Sequence, residues 1–323
     1  MKFARIFDAL PPPKFLEIPY AGLAISDSAA RSIQFGRRGK DLYITKYAEL
    51  QIPTGAIVSG QINNIDEVKK TLESLKSQLG LEYVKMSLPE EKVYLFTTKI
   101  PIVKQTEIRG AVESEIESNV PVPGGELIFD YSVATRFKED YLKVAVSAVP
   151  INVLDLYVEL TKSTGLKLLA LEVESQAIAK TVIRPDSLET CLIVNFSREK
   201  VGLYIVSETV VHFSLTFSTV GGEMQNIQSY ILQEINKLRT YWQSSSEDTQ
   251  KVEKEIDRII ICGENFQPSI APYLTAHLKA RVSLGDVWSN VFEIDKIIPE
   301  ISFDDSLRYA VAVGLALPSD TLI

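Results

Sequence analysis

Four short turns of small or polar residues punctuate this chain, and the first is of the kind that can cradle a phosphate. The first lies in GLAISDSAARSIQF, residues 22–35, where Ser26, Asp27 and Ser28 separate two apolar runs. The second is Asn195-Phe196-Ser197, between CLIVNF and KVGLYIVS. The third, Gly221-Gly222-Glu223, opens a long helical pattern, and the fourth is Cys262-Gly263-Glu264. Turns like these bind anions through backbone N–H groups, and glycine gives the closest approach. Hydrolysis of a metal-bound nucleotide needs more: carboxylates to hold Mg²⁺ or its waters, and a polar group to orient the attacking water. The first turn has its acid in the middle, at Asp27, and none at Ala24. It reads as a phosphate loop, as the remains of one, or as an ordinary hairpin.

Other chemistries leave little trace. Cys191 and Cys262 each sit in an apolar, strand-like run and read as buried, reduced thiols. His212 and His277 have no ligand-spaced partners, so no metal site is expected. No Ser-His-Asp, Cys-His or paired-carboxylate set stands out. The 323 residues carry a net charge of −8, which argues against a general nucleic-acid binder and against adhesion to anionic lipid. No run is long and apolar enough to span a membrane, and MKFARIFDALPPPK lacks the pattern of a secretory signal. A cytoplasmic protein is expected.

The elements that must position the turns follow from periodicity. Residues 1–19 read as a tail, with Phe3, Ile6, Phe7 and Leu10 on one helical face before Pro11-Pro12-Pro13. It would dock on its own domain or a neighbouring copy, or else meet a membrane or a partner. YAGLAIS, ARSIQFG and DLYITKYAEL read as three strands, and 50–62 as an irregular connection. A helix over 64–79 is capped by Asn64 or Asn63, buries Val68, Leu72, Leu75 and Leu79, and ends at Gly80. Residues 90–149 read as a strand, an acidic helix and two strands, a compact insert. A second strand triplet, TCLIVNFS, KVGLYIVS and TVVHFSLTFS, precedes a helix over about 223–243. The halves echo each other in architecture rather than in residues. The predicted organisation is an α/β chain with a first lobe over 20–185 including an insert subdomain over 90–165, and a second lobe over 186–303. A C-terminal helix in 304–323 returns to the first lobe.

Tandem β-β-β-α lobes with facing turns resemble the actin-like (ribonuclease-H-like) ATPase superfamily, and the insert resembles its cell-division and pilus branch. GLAISDSAARSIQF, IPTGAIVSGQINNIDEVKKTL, EIRGAVESEIESNVPVPGGELIFDYSV, CLIVNFSREKVGLYIV, STVGGEMQNIQ, ICGENFQPSIAPYL and SLRYAVAVGLAL together resemble the type IV pilus assembly PilM family. That resemblance covers about 20–317 and implies ATP or ADP with Mg²⁺ between the lobes. The family's acid positions are Ala24 and Asn195 here, and the following glycines are Ser26 and Ser197, so both carboxylates are missing. Asp27 would set a charge against the β- and γ-phosphates, or stand in as a displaced cation ligand. Arg31 would touch phosphate, or form a salt bridge, with Asp27 as one candidate partner. Gly221 and Gly222 keep a helix start near the cleft, or make a simple tight turn. The family's adenosine-side Gly-Gly is Cys262-Gly263. The expected nucleotide-site remnants are therefore Ser26, Asp27, Ser28, Arg31, Asn195, Ser197, Gly221, Gly222 and Gly263, with nucleotide binding weak or absent.

The resemblance further implies a partner, the short cytoplasmic N-terminal segment of a PilN-like membrane protein, docked between insert and first lobe at the inner face of the cytoplasmic membrane. Glu113, Glu115 and Glu117 on the insert helix are a solvated face, or receive basic residues of that segment. Self-association stays open. The functional expectation is a non-catalytic actin-like scaffold; the rivals are an ATP-binding switch of the same family and a small-molecule kinase of the superfamily.

Overall fold

The computed structural model describes residues 18–39, 41–133, 141–219, 224–244, 255–292 and 298–318. Strand β1 (Ala21–Ile25) is wholly buried, and it runs antiparallel to β2 (Ala29–Arg38), which pairs in turn with β3 (Asp41–Gln51). The connection after β3 contains a small hairpin, β4 (Ile57–Val58) and β5 (Gln61–Ile62), where the sequence suggests only irregular chain. Helix α1 (Ile65–Leu79) follows. The Asn64 side chain accepts from the Glu67 amide at 3.3 Å, Gly80 closes the helix at φ 60°, and Val68, Leu72 and Leu75 are buried at helical spacing. Each such side chain contributes about 2 kcal/mol when removed from water. Strand β6 (Tyr83–Leu88) then pairs parallel to β1.

The insert comes next: β7 (Tyr94–Pro101), α2 (Ile108–Asn119), β8 (Leu127–Val133) and β9 (Tyr141–Pro150), with the antiparallel order β7-β9-β8. Ile108, Val112 and Ile116 form one face of α2 and pack on Ile100, Phe129, Val144 and Val146. Helix α3 (Ile151–Ser163), strand β10 (Lys167–Val173) and helix α4 (Glu174–Val182) complete the lobe, whose sheet order is β10-β6-β1-β2-β3.

The second lobe repeats this plan. Its elements are β11 (Cys191–Phe196), β12 (Lys200–Ser207), β13 (Val210–Ser218), α5 (Met224–Ser244), β14 (Arg258–Gly263), α6 (Ile270–His277) and β15 (Arg281–Leu284). The order β13-β12-β11-β14-β15 has the same antiparallel meander followed by two parallel neighbours. After α7 (Phe303–Ser306) and a tight turn over Leu307–Tyr309, helix α8 (Ala310–Ala316) lies against β1, β2, β6 and α4. The SLRYAVAVGLALP pattern thus splits rather than forming one helix. A Cβ on Gly22 would sit 2.0 Å from the Ala312 carbonyl, so only glycine lets α8 approach β1 this closely. One apolar core crosses the lobe boundary and includes Ala24 and Ile33 of the first sheet, Ile193 and Cys262 of the second, and Ala312 and Val313 of α8.

Candidate functional site

The two hairpin turns and the β14 turn meet between the lobes, so the structure brings Ser26, Ser28, Arg31, Asn195, Ser197 and Gly263 together. Gly221, Gly222 and Glu223 lie outside the described residues. The first turn is closed on itself. The Ser26 hydroxyl accepts from the Ala29 amide at 3.1 Å and lies 3.4 Å from the Ser28 amide, and the Ser26 amide donates to the Ala29 carbonyl at 2.9 Å. The Ser28 and Ala29 amides thus face the Ser26 side chain, which stands where the resembled family has glycine.

The Asp27 carboxylate is held by backbone of its own lobe. Its carboxylate accepts from the Ser59 amide at 2.8 Å and the Gly60 amide at 3.1 Å, fastening the β4–β5 hairpin. Arg31 does not pair with Asp27. Its Nε donates to Glu49 at 2.9 Å, and its guanidinium also bonds the Glu264 carboxylate across the cleft. Glu264 takes a further bond, from the Ser28 hydroxyl at 2.9 Å.

Gly263 aims that carboxylate. It has φ +96°, a Cβ there would lie 1.9 Å from the Phe196 carbonyl, and the Glu264 amide donates to the same carbonyl at 2.9 Å. The backbone therefore rests directly on the second hairpin turn, a contact open only to glycine.

Behind these turns lies a group of acids that sequence reasoning missed. Glu90 is 4% exposed; its carboxylate accepts from the Ser175 amide and hydroxyl, both at 3.0 Å. Burial raises its pKa to about 7, against hydrogen bonds from Ser214 and Ser175 that favour the charged form. Glu174 sits at the start of α4 and accepts from the Asn195 side-chain amide at 2.8 Å; burial raises its pKa too. Glu91 pairs with Lys200 of β12 at 2.5 Å. Burial pulls the Lys200 ammonium down, but the Glu174, Glu91 and Asp27 carboxylates outweigh it, and its pKa rises. The local signal was present: two glutamates follow Pro89 between apolar strands, where a solvated loop would be the only alternative to paired burial.

The space left between the turns is a cavity of about 30 Å³ bounded by Ser26, Arg31, Glu174, Asn195, Ser197 and Glu264. Small-molecule sites run from about 300 Å³ upward. A second hollow of about 130 Å³ lies between the same two turns, with Asp27 and Ser28 on one wall and Ser197 to Lys200 on the other. As they stand, these residues do not fit a metal-bound nucleoside triphosphate. The Glu264 carboxylate holds the Ser28 hydroxyl and the Arg31 guanidinium, the Ser26, Ser28 and Ala29 amides meet the turn's own oxygens, and the nearby acids are engaged by Lys200, Asn195 and Ser175. Of the insert acids, Glu113 and Glu117 are exposed, whereas Glu115 accepts from Thr98 at 3.0 Å.

Comparison with known proteins places this architecture. No curated protein sequence matches the chain. Among solved structures, a chain of the "PilM-PilN type IV pilus biogenesis complex" superposes with a TM-score of 0.74 at 18% identity, covering 95% of this chain and 99% of that one. Ethanolamine utilization protein EutJ from Carboxydothermus hydrogenoformans superposes with a TM-score of 0.52 at 10% identity, covering 95% and 90%. These likenesses show an actin-like fold. The family model for type IV pilus assembly protein PilM matches residues 22–217. The chain therefore belongs to the type IV pilus assembly protein PilM family.

Proposed function

We propose that this chain is a non-catalytic actin-like scaffold of a type IV pilus or related secretion-type assembly platform. In this reading it works at the cytoplasmic face of the inner membrane, and no described helix is long and apolar enough to cross one. It holds the platform by binding the short cytoplasmic N-terminal segment of a PilN-like membrane protein. The observation that carries the non-catalytic part is the closed cleft, in which Glu264 of the second lobe occupies the Ser28 and Arg31 donors of the first. An architecture kept while its cleft is tied shut suits a protein selected for its surface. Support for the partner comes from family membership and from the likeness to a chain of a PilM–PilN complex. The exposed Glu113 and Glu117, and Ile128 on edge strand β8, offer acidic and apolar contacts to a basic, leucine-containing segment.

Two titrations test this. Calorimetry with ATP and Mg²⁺ is expected to give no saturable heat; a dissociation constant in the low micromolar range overturns the closed-cleft reading in favour of an ATP-dependent switch. A labelled peptide copying the cytoplasmic N-terminus of the co-encoded membrane protein is expected to bind, more weakly at high salt. Absence of binding by that peptide overturns the scaffold role.

A further inference from the structure

The Glu264 contact is more than a filled gap. It joins residues 233 and 236 positions apart in sequence, from different lobes, by the two donor types that recognise phosphate oxygens: a guanidinium and a hydroxyl. Both partners of the ion pair are withdrawn from water, with 7% and 13% of the side chains exposed, so salt screens it little. The aim of Glu264 is fixed by the Gly263 turn pressed on Phe196, which lowers the entropy lost in making the contact. The contact also closes the 30 Å³ cavity on one side.

We propose that Glu264 is an internal ligand: its carboxylate holds the anion seat formed by Ser28 and Arg31 and so latches the mouth of the cleft shut. Glu49 stays on the other edge of Arg31 and keeps the guanidinium oriented when the seat changes occupant. A tethered carboxylate acts at high effective concentration, so a free anion competes poorly while Glu264 is present. The seat itself would take a pyrophosphate-type anion. Because the apolar core continues across the lobe boundary through α4 and α8, release of the latch loosens the turns without separating the lobes.

This inference rests on the closed-cleft reading, and its test is separate from it. Inorganic pyrophosphate is titrated into the full-length wild type, Glu264→Ala and Glu264→Gln, with amide hydrogen exchange measured over residues 26–29 and 263–266. Glu264→Ala is expected to bind pyrophosphate at least tenfold more tightly than wild type and to exchange faster in both turns. Glu264→Gln keeps the shape and the Ser28 contact but loses the ion pair; it is expected to fall between them and serves if the alanine variant does not fold. Folded variants with wild-type pyrophosphate binding and wild-type exchange overturn the latch. That outcome leaves the closed cleft standing, whereas tight ATP binding by the wild type would remove the closed cleft itself.

Discussion

The Lys200 ammonium on β12 lies 2.5 Å from the Glu91 carboxylate at the root of the insert, with 12% and 16% of the two side chains exposed. Glu174 and Asp27 face the same ammonium. This one cation therefore offsets acids contributed by three separate segments of the first lobe, and it ties the second lobe's hairpin to the insert. Lys200→Met removes the cation and leaves the acids buried. A loss of about 3 kcal/mol in urea unfolding is expected, with Glu91→Gln in the same background restoring part of it. Additive losses in the double variant would mean that the pair is not coupled.

Asp27 gives the second prediction. A carboxylate aimed at phosphates would, when replaced by serine, free the turn for an anion. A carboxylate that accepts from the Ser59 and Gly60 amides would instead leave the β4–β5 hairpin unfastened. Asp27→Ser is expected to lower stability by about 2 kcal/mol, the range of hydrogen bonds to a charged group, and to speed exchange of those two amides. Nucleotide affinity is expected to stay unchanged.

The Gly263 turn gives the third. Gly263→Ala would place a methyl 1.9 Å from the Phe196 carbonyl, in a left-handed backbone that disfavours side chains. A loss of roughly 2–4 kcal/mol is expected from overpacking and backbone strain together. Because the turn aims Glu264, exchange at residues 26–29 is expected to rise as well. A variant with wild-type stability would show that the second hairpin moves to admit the methyl.

How much of this was legible in the sequence follows from the range of the interactions. Strands and helices announce themselves locally: the Asn64 cap, the Gly80 stop and the stripe of Val68, Leu72, Leu75 and Leu79 lie within one helix, and all hold except that Leu79, at the helix end, is only half-buried. The repeated strand triplets gave the doubled lobe for the same reason. Charge pairing leaves no such periodic mark. Glu91 finds Lys200 at a separation of 109 residues, and Arg31 finds Glu264 at 233. Asp27 was legible as a turn acid, but its partners, 32 and 33 residues on, belong to a hairpin too short to register as strands. The candidate turns could thus be located from sequence, while what each side chain bonds to could not.

The last prediction concerns pH and rests on Glu90. Burial is the main cause of its raised pKa, about 7 in the folded chain against an ordinary 4.5, with Glu174 adding to the rise and the Ser214 and Ser175 hydrogen bonds opposing it. Between those two values the folded chain binds more protons than the unfolded one. Stability from this group is therefore fully present below about pH 4.5 and is lost as pH rises through about 7. The whole effect is on the order of 3 kcal/mol. Glu90→Gln keeps a neutral, hydrogen-bonding side chain at all pH values, so it should remove this slope. Glu174, raised in the same direction, leaves a residual slope of the same sign. Urea unfolding at pH 5, 6, 7 and 8 checks it: the wild type is expected to lose about 2 kcal/mol more than Glu90→Gln across that range. Parallel profiles for the two proteins would mean that Glu90 is already ionised in the fold, stabilised by Ser175 and Ser214 despite its burial.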